Sequence, residues 1–398
     1  MNREDFRMLD NDIIYFDNGA TTLKPDCVID EMDKYYHEYS SNSHRGDYDI
    51  SLKVDDLFEK ARQKVQKFIN ASKSEEIIWT RGTTESINMI VFGFMKNYLH
   101  AQDEVLITET EHASNVLPWY VLEKENHIKV SFIPLNSDGT LSIDSLINSI
   151  NSNTKVISLA YITNTIGDVR DIKKIIEIAH QRNIIVLVDG AQSVPHLKID
   201  VQEMDIDFLT FSAHKMLGPT GLGVLYGKKE YLEKLVPTCY GGGMNEYFES
   251  NKDYALKPLP LRLEAGTMNI ASVLGFAKAI DYIENIGILN ITRYELYLKE
   301  YLVEKLSEVP NVIIYNKDTQ SGIVLFNIKG VFPKEICSYL NDHHICVRAG
   351  NHCAKMVKNI IGEKNTCRIS LYFYNTKEEI DKFIEVIKKY SREYYSWK

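Results

Sequence analysis

The sequence predicts an α/β protein with two domains: a large one on a mostly parallel sheet with helices on both faces, and a smaller α+β one. Three observations carry this. Short apolar runs rich in β-branched residues alternate with helical patterns from about residue 76 onward, the rhythm of parallel strands joined by crossover helices. That rhythm breaks near residue 246, and a long helical stretch followed by shorter strands and helices replaces it. Finally, the chain has 398 residues, more than the ~250–300 at which a single core stops growing.

Taken in order, EIIWT (76–80) is the first strand, and TTESINMIVFGFMKNYL after it has apolar residues at helical spacing. DEVLI (103–107), KVSFIPL (129–135), KVISLAYI (155–162) and NIIVLVD (183–189) follow, with helices between several of them. DFLTFS (207–212) and GVLYG (223–227) close the series. Residues 246–263, EYFESNKDYALKPLPLRL, are polar and proline-bearing, which predicts an extended excursion or hairpin. From Ala271 to about Glu308 the pattern is helical and bridges into the second domain. That domain holds strands in VIIY (312–315), GIVLFNI (322–328), ICV (345–347) and CRISL (367–371), a helix near 333–341, and a terminal helix in KEEIDKFIEVIKKY. The boundaries expected are 12–284 for the large domain, and 1–11 with 285–398 for the small one.

Composition narrows the function classes. Hydrophobic residues make up 44% and charged residues 25%, ordinary for a soluble globular protein. The net charge of −9 comes without any basic block, which argues against nucleic acid as a partner. No stretch approaches the ~18 apolar residues of a membrane span, and MNREDFRMLDNDIIYF lacks a signal-peptide apolar run. A cytoplasmic protein is expected. The six cysteines (Cys27, Cys239, Cys337, Cys346, Cys353 and Cys367) include no C-x-x-C pair. They are expected to be unpaired and mostly small buried hydrophobes. His352 with Cys346 or Cys353 finds no second pair at a usual ligand spacing, so no metal site is expected.

In such folds ligands bind outside the carboxyl ends of the strands, and that is where the polar residues of interest fall. Asp189 ends the apolar run IIVLVD and opens DGAQS. It is either a loop starter or a buried carboxylate that pairs with a ligand cation. Lys215, in SAHKMLGPTGLG (212–223), follows another apolar strand. Most lysines are solvated surface charges, but one between a buried strand and an apolar, glycine-rich segment is a candidate Schiff-base lysine, because burial frees its lone pair. An aspartate facing a lysine across a crevice is what pyridoxal phosphate needs, since the carboxylate keeps the pyridine nitrogen protonated. RGTTESIN (81–88) offers a helix N-terminus with Thr83 and Thr84 for the phosphate, and Ser212 and His214 stand ready to complete the cup. His112 in ETEHASN is placed to stack on a cofactor ring or to cap a turn, and Asn164 in YITNTIGD is a further strand-end polar group.

These segments resemble, in order and over nearly the whole chain, the fold type I pyridoxal phosphate enzymes of the class V aminotransferase group. More narrowly, they resemble the SufS-type (group II) cysteine desulfurases. The resemblance is carried by YFDNGATTLKP, SNSHRGDY, RGTTESIN, TETEHASNVLPW, NTIGDVRDI, VLVDGAQSVPH, SAHKMLGPTGLGVLYG, EAGTMN, RAGNHCA and CRISLYFYNT. It implies that Lys215 holds the cofactor, Asp189 pairs with the pyridine nitrogen, Gln192 bonds the ring hydroxyl and His112 stacks on the ring. Thr84, Ser212 and His214 would bind the phosphate, with Thr267 arriving from the second subunit of a homodimer. Arg368 would clamp the substrate carboxylate, assisted by Asn164, with Arg348 close to the substrate and His44 and Arg45 at the dimer-facing edge. The excursion at 246–263 would be the family's surface hairpin, near the neighbouring subunit's cysteine.

Cys353 would be the nucleophile that takes sulfur from L-cysteine, with His352 or the arginines favouring its thiolate. The short loop between Arg348 and Arg368 implies delivery to a dedicated sulfur-acceptor protein, SufE- or SufU-like; the resemblance implies iron–sulfur cluster assembly as the pathway served, with thiolated tRNA or another sulfur product as alternatives. Selenocysteine lyase or a cysteine-sulfinate lyase is the alternative on the same scaffold, and a scaffold subunit of a sulfur-transfer complex is the non-enzymatic one. The loop departs from the family pattern at Asn351, where a histidine is usual, and at Lys355 and Met356, where a Gln-Pro or Met-Pro is usual.

Overall fold

The computed structural model describes residues 3–43 and 46–396. A seven-stranded sheet runs in the order Ile77–Thr80, Gly223–Gly227, Phe208–Ser212, Ile185–Asp189, Thr154–Ala160, Glu104–Ile107, Lys129–Phe132. Every neighbouring pair from Phe208–Ser212 to Lys129–Phe132 is parallel, whereas Gly223–Gly227 is antiparallel to both its neighbours. The central strands read as unbroken apolar runs because both faces are covered. Successive strand residues point to opposite faces. Thus Trp79, Leu106, Ile157, Val186 and Val188 join one apolar cluster, while Ile78, Val105, Val156, Ile185 and Leu187 join another.

A second sheet places Val312–Ile314, Ile323–Ile328, Thr366–Ser370 and Arg348–Gly350 side by side, all antiparallel. Helices Pro333–Asn341 and Lys377–Ser396 flank it, and residues such as Phe326, Ile336 and Phe383 share its apolar core. The first described residues touch both layers. Phe6 packs against the rings of Tyr282, Phe373 and Tyr374, while Ile14–Tyr15 pairs in parallel with Ile345–Cys346.

Several elements differ from the sequence reading. The helical stretch after Ala271 is two helices, Ile270–Ile286 and Ile288–Ser307, parted at Gly287, whose φ of 86° a side chain would strain. The excursion, by contrast, holds the hairpin expected of it, Asn245–Phe248 antiparallel to Tyr254–Leu256. Two helices precede the first predicted strand, Asp26–Glu38 and Asp49–Phe68, and both pack on Ile270–Ile286. The expectation that most cysteines are buried fails. All six are free, but Cys27, Cys239 and Cys353 are exposed, and Cys367 alone is buried. Cys27 lies on the outer side of a helix, and Cys239 and Cys353 lie in loops, where the apolar character of a thiol has no core to join. Among the described residues, no helix is long and apolar enough to cross a membrane.

One buried ion pair ties the helix Asp49–Phe68 to the sheet edge. Arg62 meets Glu264 through two parallel bonds of 2.7 and 2.8 Å, and its guanidinium also donates to the Ile77 carbonyl at 2.7 Å. Glu264 in turn accepts the Trp79 N–H at 2.8 Å. Both side chains are 1% exposed. Arg62 Nε also meets the half-exposed Glu59 at 3.2 Å, but replacing Glu264 by Ala removes the buried bidentate partner and the acceptor of the Trp79 N–H, and should lower stability by about 3 kcal/mol. A denaturant midpoint equal to that of the parent protein would show that Glu59 alone suffices to balance Arg62.

Candidate active site

The carboxyl ends of two adjacent parallel strands set the centre of the site. Asp189 is the last residue of Ile185–Asp189, and Lys215 ends the short 3-10 turn Ala213–Lys215 that leaves the neighbouring strand Phe208–Ser212. Both line a cavity of about 230 Å³. Gln192, His112, Asn164, Thr83 and Thr84 line it as well, as do Ser212 and His214. From the second sheet come Arg348 and Arg368, and from the turn that follows Arg348–Gly350 comes Cys353. The sequence places these residues far apart, and the fold gathers them at one mouth.

Electrostatics follow from loss of water. The Lys215 amine lines the cavity, and burial, opposed by Asp189 and reinforced by Arg368 and Arg348, pulls it down to about 8. Burial pushes the Asp189 carboxyl up to about 6 against the bond that its oxygen accepts from the Ala191 N–H at 2.9 Å. His112 falls to about 4 through burial and the nearby cations Lys215, Arg368 and Arg348. Its Nδ1 accepts the Ser114 N–H at 3.1 Å. A neutral ring with that nitrogen occupied as an acceptor carries its proton on Nε2. His214 falls to about 4 for the same first reason, with Lys215 and Lys24 adding to it.

At one end of the cavity, hydroxyls and amides converge. Ser212 Oγ accepts the Thr83 N–H at 2.9 Å and lies 2.9 Å from Thr83 Oγ1, while Thr84 and Ser114 hydroxyls are 2.7 Å apart. The helix Thr83–Met89 starts here. It comes this close to the sheet because Gly82 sits at φ 150° and because Gly223 has no Cβ, which would fall 2.4 Å from the Gly82 Cα.

At the other end, Arg368 is 2% exposed. It donates to the Asn164 carbonyl at 2.8 Å and to Asp17 at 2.9 Å. Among the described residues its Nε has no hydrogen-bond partner, nor do Asn164 Oδ1 and His352 Nδ1. Three cavity-lining residues thus keep unused polar capacity. The turn that carries Cys353 is stitched to this floor. Asn164 Nδ2 donates to the His352 carbonyl at 2.7 Å, and the Ala113 N–H donates to the Cys353 carbonyl at 2.8 Å.

Other expectations fall differently. Thr267 is exposed, lies away from this cavity in a separate depression with Cys239 and Met268, and is 3.2 Å from Asn42. His44 and Arg45 lie outside the described residues. Gln192 spends a donor on the Gly19 carbonyl at 2.7 Å. His352 does not act as a cation near the thiol: burial, with Arg368 and Arg348, drives it down to about 3, so it is neutral. Sequence reasoning missed Asp17, the carboxylate that balances Arg368, and Ser114, which ties His112 to Thr84. Ser114 stood in the quoted ETEHASN stretch and followed a strand, so a signal was there. Asp17 stood in the quoted YFDNGATTLKP stretch, but nothing local to it pointed to Arg368.

The pattern described as aminotransferase class-V matches residues 14–383. The chain belongs to the class-V aminotransferase family. Within it the chain groups with the cysteine desulfurases. A "Probable cysteine desulfurase" of Halalkalibacterium halodurans is 42% identical over 395 residues, which is 98% of this chain and 97% of that protein. The apo structure of a cysteine desulfurase from Thermococcus onnurineus covers 98% of this chain and 97% of its own at 36% identity, with a TM-score of 0.94. Cysteine desulfurase CsdA from Escherichia coli, solved as an S-sulfonic acid, covers the same shares at 33% identity with a TM-score of 0.92. Membership of this family implies pyridoxal phosphate as the cofactor.

A titration follows from the amine. Its neutral form is the one that reacts with an aldehyde, and Lys215 is neutral above about 8. In cofactor-free protein, the rate of pyridoxal phosphate capture, followed by absorbance, should rise with pH and level off above that value. Lys215→Arg should show no capture at any pH. A rate that climbs on to the ordinary lysine range near 10.4 would mean that the amine is solvated.

Proposed function

We propose that the protein moves the sulfur of L-cysteine onto Cys353 and releases L-alanine. The observation that carries this reading is an exposed cysteine held at the same cavity as Lys215, Asp189 and Arg368. The residues present fit pyridoxal phosphate. Asp189 is a buried carboxyl at the end of its strand, Thr83, Thr84, Ser212 and His214 form an anion cradle, and the amine of Lys215 is softened by burial. When bound, that cofactor supplies an electron sink that makes the Cα–H bond of an amino acid labile.

The chain's own residues do the rest. Arg368, with its free Nε and fixed by Asp17, receives the substrate carboxylate. Lys215 is a base at the pH where it is neutral; it takes the Cα proton and a proton returns to Cα before L-alanine leaves. Neutral His112 lines the cavity with its proton on Nε2 and its Nδ1 tied to Ser114, and would orient groups bound there. The Cys353 thiolate then attacks the substrate sulfur. The S–S bond forms as the substrate Cβ–S bond breaks, and the electron pair left on Cβ takes a proton. One thiol and one L-cysteine become one persulfide and one L-alanine, so no outside oxidant or reductant is needed.

The exposure of Cys353 supports transfer of the persulfide sulfur to a docked acceptor protein, of the SufE- or SufU-like kind, for iron–sulfur cluster assembly. The place of Thr267, exposed and away from this cavity, fits a homodimer in which the second copy brings it to the cradle. Incubation with pyridoxal phosphate and L-cysteine should yield L-alanine and a persulfide on Cys353. Cys353→Ala should keep the cofactor's absorbance and lose alanine formation by on the order of 100-fold or more. Full turnover by that variant would remove Cys353 from the reaction, and faster turnover of selenocysteine than of cysteine would move the assignment to selenocysteine lyase.

A further inference from the structure

The turn that presents Cys353 occupies a backbone state that its residues disfavour. His352 and Cys353 are successive non-glycine residues at φ 51° and 60°, where an L side chain crowds the following carbonyl. The Ala354 N–H donates to the Asn351 carbonyl at 2.9 Å across them. A hydrogen bond from the fourth residue to the first, with both central residues at positive φ, is the pattern of a type I′ turn, a position usually given to Asn and Gly. Something must hold His352 and Cys353 there.

Three anchors hold the His352–Cys353 carbonyls and the histidine ring: Asn164 on the His352 carbonyl, Ala113 on the Cys353 carbonyl, and Thr366 Oγ1 at 3.0 Å from His352 Nε2. The Cys353 N–H is held by a fourth. It donates to Asn351 Oδ1 at 3.1 Å. Asn351 thus closes the turn twice, through its carbonyl and its side chain. With its N–H held by Asn351 and its carbonyl by Ala113, the peptide planes on both sides of the Cys353 Cα are set, and with them the direction of the Cα–Cβ bond that carries the thiol.

We propose that Asn351 is the positioning residue for the Cys353 nucleophile. Its amide oxygen keeps the cysteine in the left-handed state that aims the sulfur at the cavity. The inference rests on the desulfurase reading and adds to it the part that sets the nucleophile. An amide suits the task better than a carboxylate. Asp at this place accepts the same N–H but sets a negative charge two residues from a thiol that must ionise, which raises the thiol pKa.

Asn351 is exposed, so its substitution leaves the core untouched. The test compares Asn351→Ala and Asn351→Asp with the parent holoprotein on L-cysteine, alongside iodoacetamide alkylation of Cys353 as a function of pH. For Asn351→Ala, kcat for alanine should fall about tenfold to a hundredfold with KM nearly unchanged, as for a misplaced reacting group. The cofactor absorbance and the alkylation midpoint should stay where they were. For Asn351→Asp, the alkylation midpoint should move to higher pH, and turnover should recover toward the parent level once that pH is passed. Parent-level turnover by Asn351→Ala overturns the proposal. So does loss of cofactor absorbance in that variant, or an Asp variant that no pH restores. A parent protein that makes no alanine at all defeats the desulfurase reading instead, and the two failures are therefore distinct.

Discussion

The site depends on one amine being kept out of water. Lys215 reaches the cavity from the end of a strand packed on both faces, and burial outweighs the attraction of Asp189. Around it the protein places two guanidiniums, Arg348 and Arg368, and three imidazoles. The cations and the lack of solvent together hold His112 and His214 at about 4 and His352 at about 3, so the imidazoles stay neutral. A chain with a net charge of −9 thus keeps a cavity whose fixed charges are largely positive. Such a cavity favours ligands that carry phosphate and carboxylate groups. The positive groups repel one another, and that is why Arg368 needs Asp17 beside it.

A second constraint lies behind the cavity. Glu111, next to His112, accepts from the Ala160 N–H and from Asn115 Nδ2, both at 2.8 Å. Arg170 meets Glu111 and also donates to Thr108 and Thr110, each at 2.8 Å, and to the Ala160 carbonyl at 3.1 Å. Neither partner of this ion pair is exposed. A buried pair is weak evidence for stability, but its geometry here joins the ends of two parallel strands and the segment before Ile172. Those are the segments that present His112 and Asn164. The polar network fixes the spacing of the strand-end groups, while the apolar layers fix only the sheet.

The strands and their end residues were legible in the sequence because physics marks them twice. A strand covered on both faces must be apolar throughout, so any Asp or Lys just beyond it, such as Asp189 or Lys215, stands out. What was not legible depends on contacts distant in sequence. Asp17 acquires its meaning only when Ile14–Tyr15 pairs beside the strand end at Cys346 and brings it to Arg368. Asn351 looked like a lost histidine, and its use lies in a backbone angle that no spacing rule reports. The break at Gly287 was hidden because apolar spacing continues across it. The cysteines misled for another reason: a thiol is as apolar on an exposed helix face as in a core, so residue type alone does not place it.

Asn164 links the two halves of the chemistry proposed above. Its carbonyl accepts from Arg368, the group assigned to the substrate carboxylate, and its side chain donates to the His352 carbonyl, next to Cys353. The carboxylate clamp and the sulfur acceptor are therefore both referenced to one residue, on a loop that follows a central strand of the large sheet. Arg368 and Cys353 both belong to the second sheet and the loop beside it. A shift of that sheet against the large one would strain both bonds to Asn164 together. For a reaction in which sulfur must pass between two carbon frameworks held at opposite ends, the distance from carboxylate to sulfur is the quantity that matters. Asn164 bridges the two ends of that distance, while Asp17 steadies Arg368 and Asn351, Ala113 and Thr366 steady the turn of Cys353.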